Sequence, residues 1–203
     1  MKSRLKPMAV LAACAVLAAP ALSRAAQTDP AAATIDTFDH TLIDVMKEGP
    51  ALGAKGRYRK LEPAVQEAFD LPLMTRFAVG PSWNAMSASD RENLIKAFTR
   101  LTAASYAHNF DRYGGERFDV SPTVQTRGPD KIVRTKLAPP GRAPVDLIYR
   151  MRSGPGGWKI VDVYYGAISQ LTTRRSDFAA PLANGGAKGL IAHLEAASDK
   201  LMR

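Results

Sequence analysis

The spacing of apolar residues changes twice along this chain, and the change limits the folds that the chain can adopt. Between residues 35 and 106, apolar side chains recur every three or four positions, which is typical of one face of a helix. Between residues 118 and 165 they alternate with polar side chains, as in half-buried strands, and turns such as 154–157 separate the alternating runs. Helical spacing then returns between residues 169 and 201.

This order of segments predicts an α+β fold. Short turns join neighbouring strands in hairpins, so the sheet should be antiparallel. We expect a curved sheet of about four to five strands, covered by helices from the N-terminal and C-terminal parts of the chain. An apolar cavity is expected between the sheet and the helices.

Several residues indicate where the helices begin and end. Asp29 should cap the first helix, which should end at Gly49, and a second and a third helix should follow before residue 80. Ser87 has capping-box spacing with the acidic residue three positions later, and should begin a long helix that ends near Gly114. A break near Gly185 should divide the C-terminal segment into two helices.

Large apolar side chains are far more abundant than side chains suited to catalysis. Any single one is expected to face the core, because apolar stripes usually do. Together they can also line the expected cavity. The residues predicted to line it are Met74, Phe77, Trp83, Phe98, Tyr106, Phe110, Val133, Leu137, Leu147, Tyr149, Met151, Val161, Val163 and Tyr165.

The N-terminal segment has the layout of a secretory signal peptide. Three basic residues lie within the first six positions, an apolar run covers residues 8–22, and small residues precede a cleavage site after Ala25. We therefore expect residues 1–25 to be removed and residues 26–203 to form a single domain in the periplasm. Residues 11–14 also resemble a lipobox, so acylation at Cys14 is the alternative.

Charge and cysteine content limit the partners of the exported chain. The net charge of +9 falls to +5 on cleavage, because four basic residues and no acid leave with the signal peptide. A basic exported protein meets membrane surfaces and anionic lipids, and nucleic acid is not an expected partner. Cys14 is the only cysteine, so a chain cut after Ala25 has neither a disulfide nor a cysteine metal ligand.

Few residues are arranged for catalysis or for metal binding. His40, His108 and His193 lie on separate predicted helices, and none has a partner at a spacing known for metal ligands. Ser169 follows a strand, but the second glycine of a G-x-S-x-G motif is absent, and a helix N-cap explains this serine better. The sequence predicts no catalytic residue, no metal ligand and no cofactor.

Asp162 lies within a run of strongly β-forming residues, 158–165. An unpaired carboxylate buried there would be costly. We therefore expect Asp162 to form an ion pair with Arg76, Arg174 or Arg175, which would join the sheet to a helix.

An ordered series of short motifs extends from about Asp36 to Leu194. It consists of Phe69-Asp70-Leu71, Met74-Thr75-Arg76, Gly80, Trp83, Phe98, Tyr106, Tyr113, Gly115, residues 158–163, Gly166, Ile168-Ser169 and residues 175–178. This series resembles the MlaC family, the toluene-tolerance auxiliary proteins of bacterial ABC lipid transporters. Residues 166–171 and 174–178 are most similar to the hopanoid-biosynthesis-associated branch, HpnM.

The resemblance implies a soluble periplasmic carrier that holds lipid tails in a cavity and exchanges its cargo with membrane complexes, without catalysis. Phospholipid and hopanoid-type lipid are the alternative cargoes. Arg174 and Arg175 would then either pair with Asp162 or lie at the mouth of the cavity, near a headgroup or an acidic partner. Two other functions stay open: an envelope enzyme that uses Ser169, Asp162 or a histidine, and an accessory protein that binds a membrane complex without carrying lipid.

Overall fold

A computed structural model describes residues 28–203, and the expected signal peptide with Cys14 lies outside the described residues. The helices are α1 (Pro30–Ala68), α2 (Leu71–Val79), α3 (Ala88–Asn109) and α4 (Gln170–Leu201), with a 3₁₀ helix at Gly80–Ala85. The strands are β1 (Arg117–Val120), β2 (Gln125–Arg127), β3 (Asp130–Ala138), β4 (Val145–Gly154), β5 (Gly157–Tyr165) and β6 (Ile168–Ser169). None of the helices between residues 28 and 203 is long and apolar enough to cross a membrane.

The three predicted N-caps are confirmed. The Asp29 carboxylate accepts a hydrogen bond from the backbone N–H of residue 31 at 2.9 Å. The Ser87 hydroxyl accepts one from the backbone N–H of Asp90 at 3.0 Å, and Ser169 accepts one from the N–H of Thr172 at 3.0 Å. Each bond satisfies an N–H group that has no partner inside its helix.

The first helix does not end at Gly49, as the sequence predicts. It continues through Pro50 and bends at Gly53, whose φ of 60° lies outside the helical region. A left-handed φ carries no steric cost for glycine, so the break falls there. The long helix α3 ends at Asn109, earlier than the predicted end near Gly114.

The C-terminal segment is also divided by a glycine. Its backbone leaves helical geometry at Gly186, which has a φ of 58°. This break lies within the predicted segment, residues 184–186, where a glycine can adopt a left-handed φ without steric cost.

The strands form one antiparallel sheet in the order β1-β3-β4-β5-β6, with β2 paired to the other half of β3. The predicted α+β fold is confirmed, and the sheet has six strands where four to five are predicted. The two additional strands have weak sequence signals, because β2 is exposed along its length and β6 has only two residues.

The core lies between one face of the sheet and the helices. The N-terminal end of α1 covers the part of the sheet where β4 and β5 join, since Lys131 on β3 pairs with Asp29 at 2.6 Å and Thr34 bonds the carbonyl of Trp158 at 3.2 Å. The helices α3 and α4 pack against each other over the other end of the sheet. The fold leaves a cavity beneath that second end.

Candidate functional site

A cavity of about 470 Å³ lies between the sheet, α3 and the first turns of α4. This volume falls within the range of about 300–1,000 Å³ that is typical of small-molecule sites. Its lining consists of Phe69, Met74, Phe98, Thr102, Ser105, Tyr106, Asn109, Phe110, Leu137, Leu147, Tyr149, Val163, Tyr165, Gln170, Leu171 and Arg174.

The interior of the cavity is apolar and its mouth is polar. Phe98, Tyr149 and Leu171 are buried, whereas Asn109 is exposed and Arg174 is half-buried. A ligand with an apolar body and a polar end fits this distribution, because each part meets groups of its own kind.

Aromatic rings hold the inner wall of the cavity in place. The ring of Tyr106 contacts those of Phe38 and Phe69 edge to face, with centroids 5.1 Å and 5.6 Å apart. It also stacks on Phe110 at 5.7 Å. Aromatic pairs at these separations are favourable beyond their buried area, so the wall formed by α3 and residue 69 should be rigid.

Most residues predicted to line a cavity do so. The structure brings together Met74, Phe98, Tyr106, Phe110, Leu137, Leu147, Tyr149, Val163 and Tyr165. Phe77, Trp83, Val133, Met151 and Val161 do not line it.

Three of these five residues are fully buried in the core instead. Val133 and Met151 lie on the part of the sheet that α1 covers, so helix packing fills the space above them. Val161 lies at an irregularity in the pairing of β4 with β5, where Asp162 pairs with Arg150 and Ile160 pairs with Met151. The extra residue of such a bulge interrupts the alternation of side chains, which explains why Val161 does not follow Val163 into the cavity.

The other two residues lie outside the wall for a different reason. Phe77 is on α2 and is 37% exposed. Trp83 is half-buried on the 3₁₀ helix, where the Arg91 guanidinium lies 5.7 Å from its ring centroid. Both residues have apolar spacing, but the only lining residue from this segment, residues 71–85, is Met74.

Polar lining residues were missed by a prediction based on large apolar side chains. Thr102, Ser105 and Asn109 follow Phe98 on one face of α3 at helical spacing, and all four line the cavity. Polar residues that interrupt an apolar stripe at this spacing are the signal that identifies them. No comparable signal marks Gln170, whereas Arg174 lies at the mouth of the cavity, one of the two positions that the family resemblance implies for it.

Asp162 does not form the predicted ion pair. Its carboxylate accepts hydrogen bonds from the Ser169 hydroxyl at 2.7 Å and from the backbone N–H of Leu171 at 3.1 Å. Backbone N–H groups at a helix N-terminus carry partial positive charge, which replaces the expected arginine. Asp162 therefore joins β5 to the start of α4.

The two arginines have separate environments. Arg174 lines the cavity mouth and pairs with Asp177 at 3.3 Å. Arg175 lies against Gly80, where an added methyl group would approach its guanidinium to 3.3 Å. Of the two, only Arg174 is positioned to meet a ligand in the cavity.

Replacing Asp162 with alanine should lower the free energy of unfolding by about 1–3 kcal/mol, because two hydrogen bonds to this buried carboxylate are lost. Asp162→Asn should cost less, since the amide oxygen can still accept from Leu171. Chemical denaturation of both variants measures their free energies of unfolding and checks which variant is less stable. Equal stability of Asp162→Ala and the wild type would exclude the anchoring role.

A second carboxyl group is buried close to the cavity. Asp39 on α1 is 2% exposed, and neither of its oxygens has a well-formed hydrogen-bond partner among the described residues. Burial and the nearby charge of Asp36 raise its pKa to about 8, and a weak interaction with the Tyr149 hydroxyl offsets only part of this. Asp39 is therefore mostly uncharged at neutral pH.

Within residues 28–203, no three histidine, cysteine, aspartate or glutamate side chains converge on a site that could hold an ion. His40, His108 and His193 lie on α1, α3 and α4 respectively.

Comparison with known proteins identifies relatives of this fold and sequence. A phospholipid-binding protein from Ralstonia solanacearum, solved in complex with a phospholipid, superposes with a TM-score of 0.75 at 22% sequence identity. The match covers 86% of this chain and 100% of that one, and at this identity it shows a shared fold. The sequence model of the family described as MlaC protein matches residues 36–196, which is most of the chain. The chain belongs to the MlaC family.

Proposed function

We propose that the protein is a lipid carrier, which holds acyl chains in the cavity and keeps the polar part of the lipid at its mouth. The observation that carries the proposal is the distribution of polarity, with Phe98 and Tyr149 inside and Arg174 at the rim. Each buried methylene is worth about 0.8 kcal/mol, so an acyl chain needs an apolar enclosure to leave a membrane. Membership of the MlaC family and the phospholipid bound by the Ralstonia protein support the same role.

The proposal extends to the place and system in which the carrier acts. The composition of residues 1–25 favours export, so residues 26–203 would act as one domain in the periplasm. There the protein would exchange lipid with membrane complexes of an ABC lipid transport system and contribute to maintenance of the outer membrane. Phospholipid is the first candidate cargo, and a hopanoid-type lipid, as in the HpnM branch, is the second.

Binding without catalysis is part of this proposal. Ser169 and Asp162, the residues considered for an envelope enzyme, are bonded to each other and to the N-terminus of α4. These bonds give both residues a structural role.

The first experiment is mass spectrometry of the lipid that copurifies with the protein from the periplasm of a host that makes hopanoids. A stoichiometric phospholipid is expected, and a bound hopanoid would assign the specialised branch. Protein that is free of lipid after gentle purification would contradict the carrier function and favour an accessory role.

Leu147→Trp should reduce lipid loading at least about threefold, because the larger side chain would occupy part of the cavity that the acyl chains need. Leu147 lines the cavity and is 8% exposed. Ile148→Trp is the matched control, since alternation places this neighbour on the opposite face of the sheet. Lipid per protein is measured after extraction with organic solvent. Equal loading of the two variants would exclude the cavity as the lipid site.

A further inference from the structure

A second groove opens beside the cavity and shares part of its wall. It has a volume of about 520 Å³ and lies between α3 and the two halves of α4, on either side of the break at Gly186. Ser105, Asn109 and Arg174 line both the cavity and the groove. A molecule with two chemically different parts can therefore occupy both spaces across this common rim.

The groove is more polar than the cavity, although five apolar residues also line it. Its ionisable side chains are Arg174, His193, Lys200 and Asp177. One positive charge is in excess when His193 is neutral, and two when it is protonated. Arg174 uses one guanidinium nitrogen for Asp177 at 3.3 Å, and the guanidinium has five N–H donors in all.

Two further acids near the end of α4 are directed elsewhere. Arg100 on α3 pairs with Glu195 and, at 2.6 Å, with Asp199. Neither of these carboxylates lines the groove. These pairs engage both acids, so the lining of the groove itself presents two cationic side chains, Arg174 and Lys200, and one acid, Asp177.

We propose that this groove binds the phosphate group of a lipid whose acyl chain lies in the cavity, with Arg174 and Lys200 as its cationic contacts. The proposal rests on the carrier function proposed above. A guanidinium and an ammonium group recognise phosphate through charge-assisted hydrogen bonds. The groove would therefore select phospholipids over uncharged lipids that have the same chains.

The test measures headgroup preference at equilibrium. The delipidated protein is incubated with vesicles that contain phosphatidylglycerol and diacylglycerol with identical acyl chains, and the bound lipids are quantified by mass spectrometry. The wild type should be enriched in phosphatidylglycerol. Lys200→Glu should lower the ratio of bound phosphatidylglycerol to diacylglycerol about fivefold, as expected for an exposed charge contact.

Two further variants separate the groove from general effects. Arg174→Gln should lower the same ratio, because it removes the cation at the common rim. Lys188→Glu makes an identical change in net charge at an exposed position of the same helix, outside the groove, and should leave the ratio unchanged. If Lys200→Glu and Lys188→Glu give the same ratio of bound phosphatidylglycerol to diacylglycerol, the proposal is overturned.

The remaining outcomes distinguish the groove from the carrier function. If the wild type binds both lipids equally, the groove proposal fails and the carrier function stands. If it binds neither lipid, the carrier function itself fails. In the last case the wild type shows no headgroup preference but binds inorganic phosphate, and Lys200→Glu does not bind phosphate. That result would assign the groove to the free anion and also overturn the proposal.

Discussion

Replacing Asp39 with asparagine should remove a loss of stability that the wild type undergoes between about pH 4 and pH 8. Burial raises the pKa of Asp39 from 3.8 to about 8, so the folded protein holds this proton more tightly than the unfolded chain does. The bound proton makes its full contribution to the free energy of unfolding below pH 4, and this contribution is lost as the pH rises through 8. Above pH 8, the free energy of unfolding of the asparagine variant should exceed that of the wild type by about 2–5 kcal/mol.

Denaturant unfolding of both proteins at a series of pH values from 4 to 9 measures this difference. Asp44→Asn is the matched control, because Asp44 is an exposed carboxylate on the same helix. For Asp44→Asn, the plot of the free energy of unfolding against pH should run parallel to that of the wild type. Parallel curves for Asp39→Asn and the wild type would show that Asp39 is ionised at neutral pH in the folded protein, contrary to the expected value.

The elements that the sequence predicts best are those whose signals are local. Asp29, Ser87 and Ser169 each cap a helix because a short side chain reaches an N–H group two or three residues along. The alternation of Leu147, Tyr149 and Met151 likewise follows from strand geometry alone. Such features require no knowledge of distant contacts, so the fold class and most cavity residues were accessible from the sequence.

Features that depend on contacts between distant segments were not accessible in this way. Val161 leaves the cavity face because β5 bulges against β4, and Met151 is covered because α1 crosses that end of the sheet. Asp162 is bonded to a helix N-terminus that forms only when the chain turns at Gly166, which has a φ of 59°. Asp39 is an intermediate case, since its place between Ile35 and Leu42 on the apolar stripe of α1 indicates burial.

Arg57→Met should lower the free energy of unfolding by about 2–4 kcal/mol, because a buried charged donor then leaves two carbonyl groups without partners. The Arg57 side chain is 9% exposed and donates to the carbonyl of Ala107 at 2.7 Å and to that of Gly49 at 3.0 Å. Ala107 lies in the last turn of α3, and Gly49 lies just before the bend of α1 at Gly53.

Carbonyl groups at such positions have no partner within their own helix and carry partial negative charge. Arg57 thus joins two helix ends that flank the core, and methionine keeps its apolar stem while removing the donors. Arg59→Met is the matched control at an exposed position of the same helix and should change stability by less than about 0.5 kcal/mol. If denaturant unfolding gives both variants the same stability, the carbonyl groups must be satisfied by other donors and Arg57 does not hold the helix ends together.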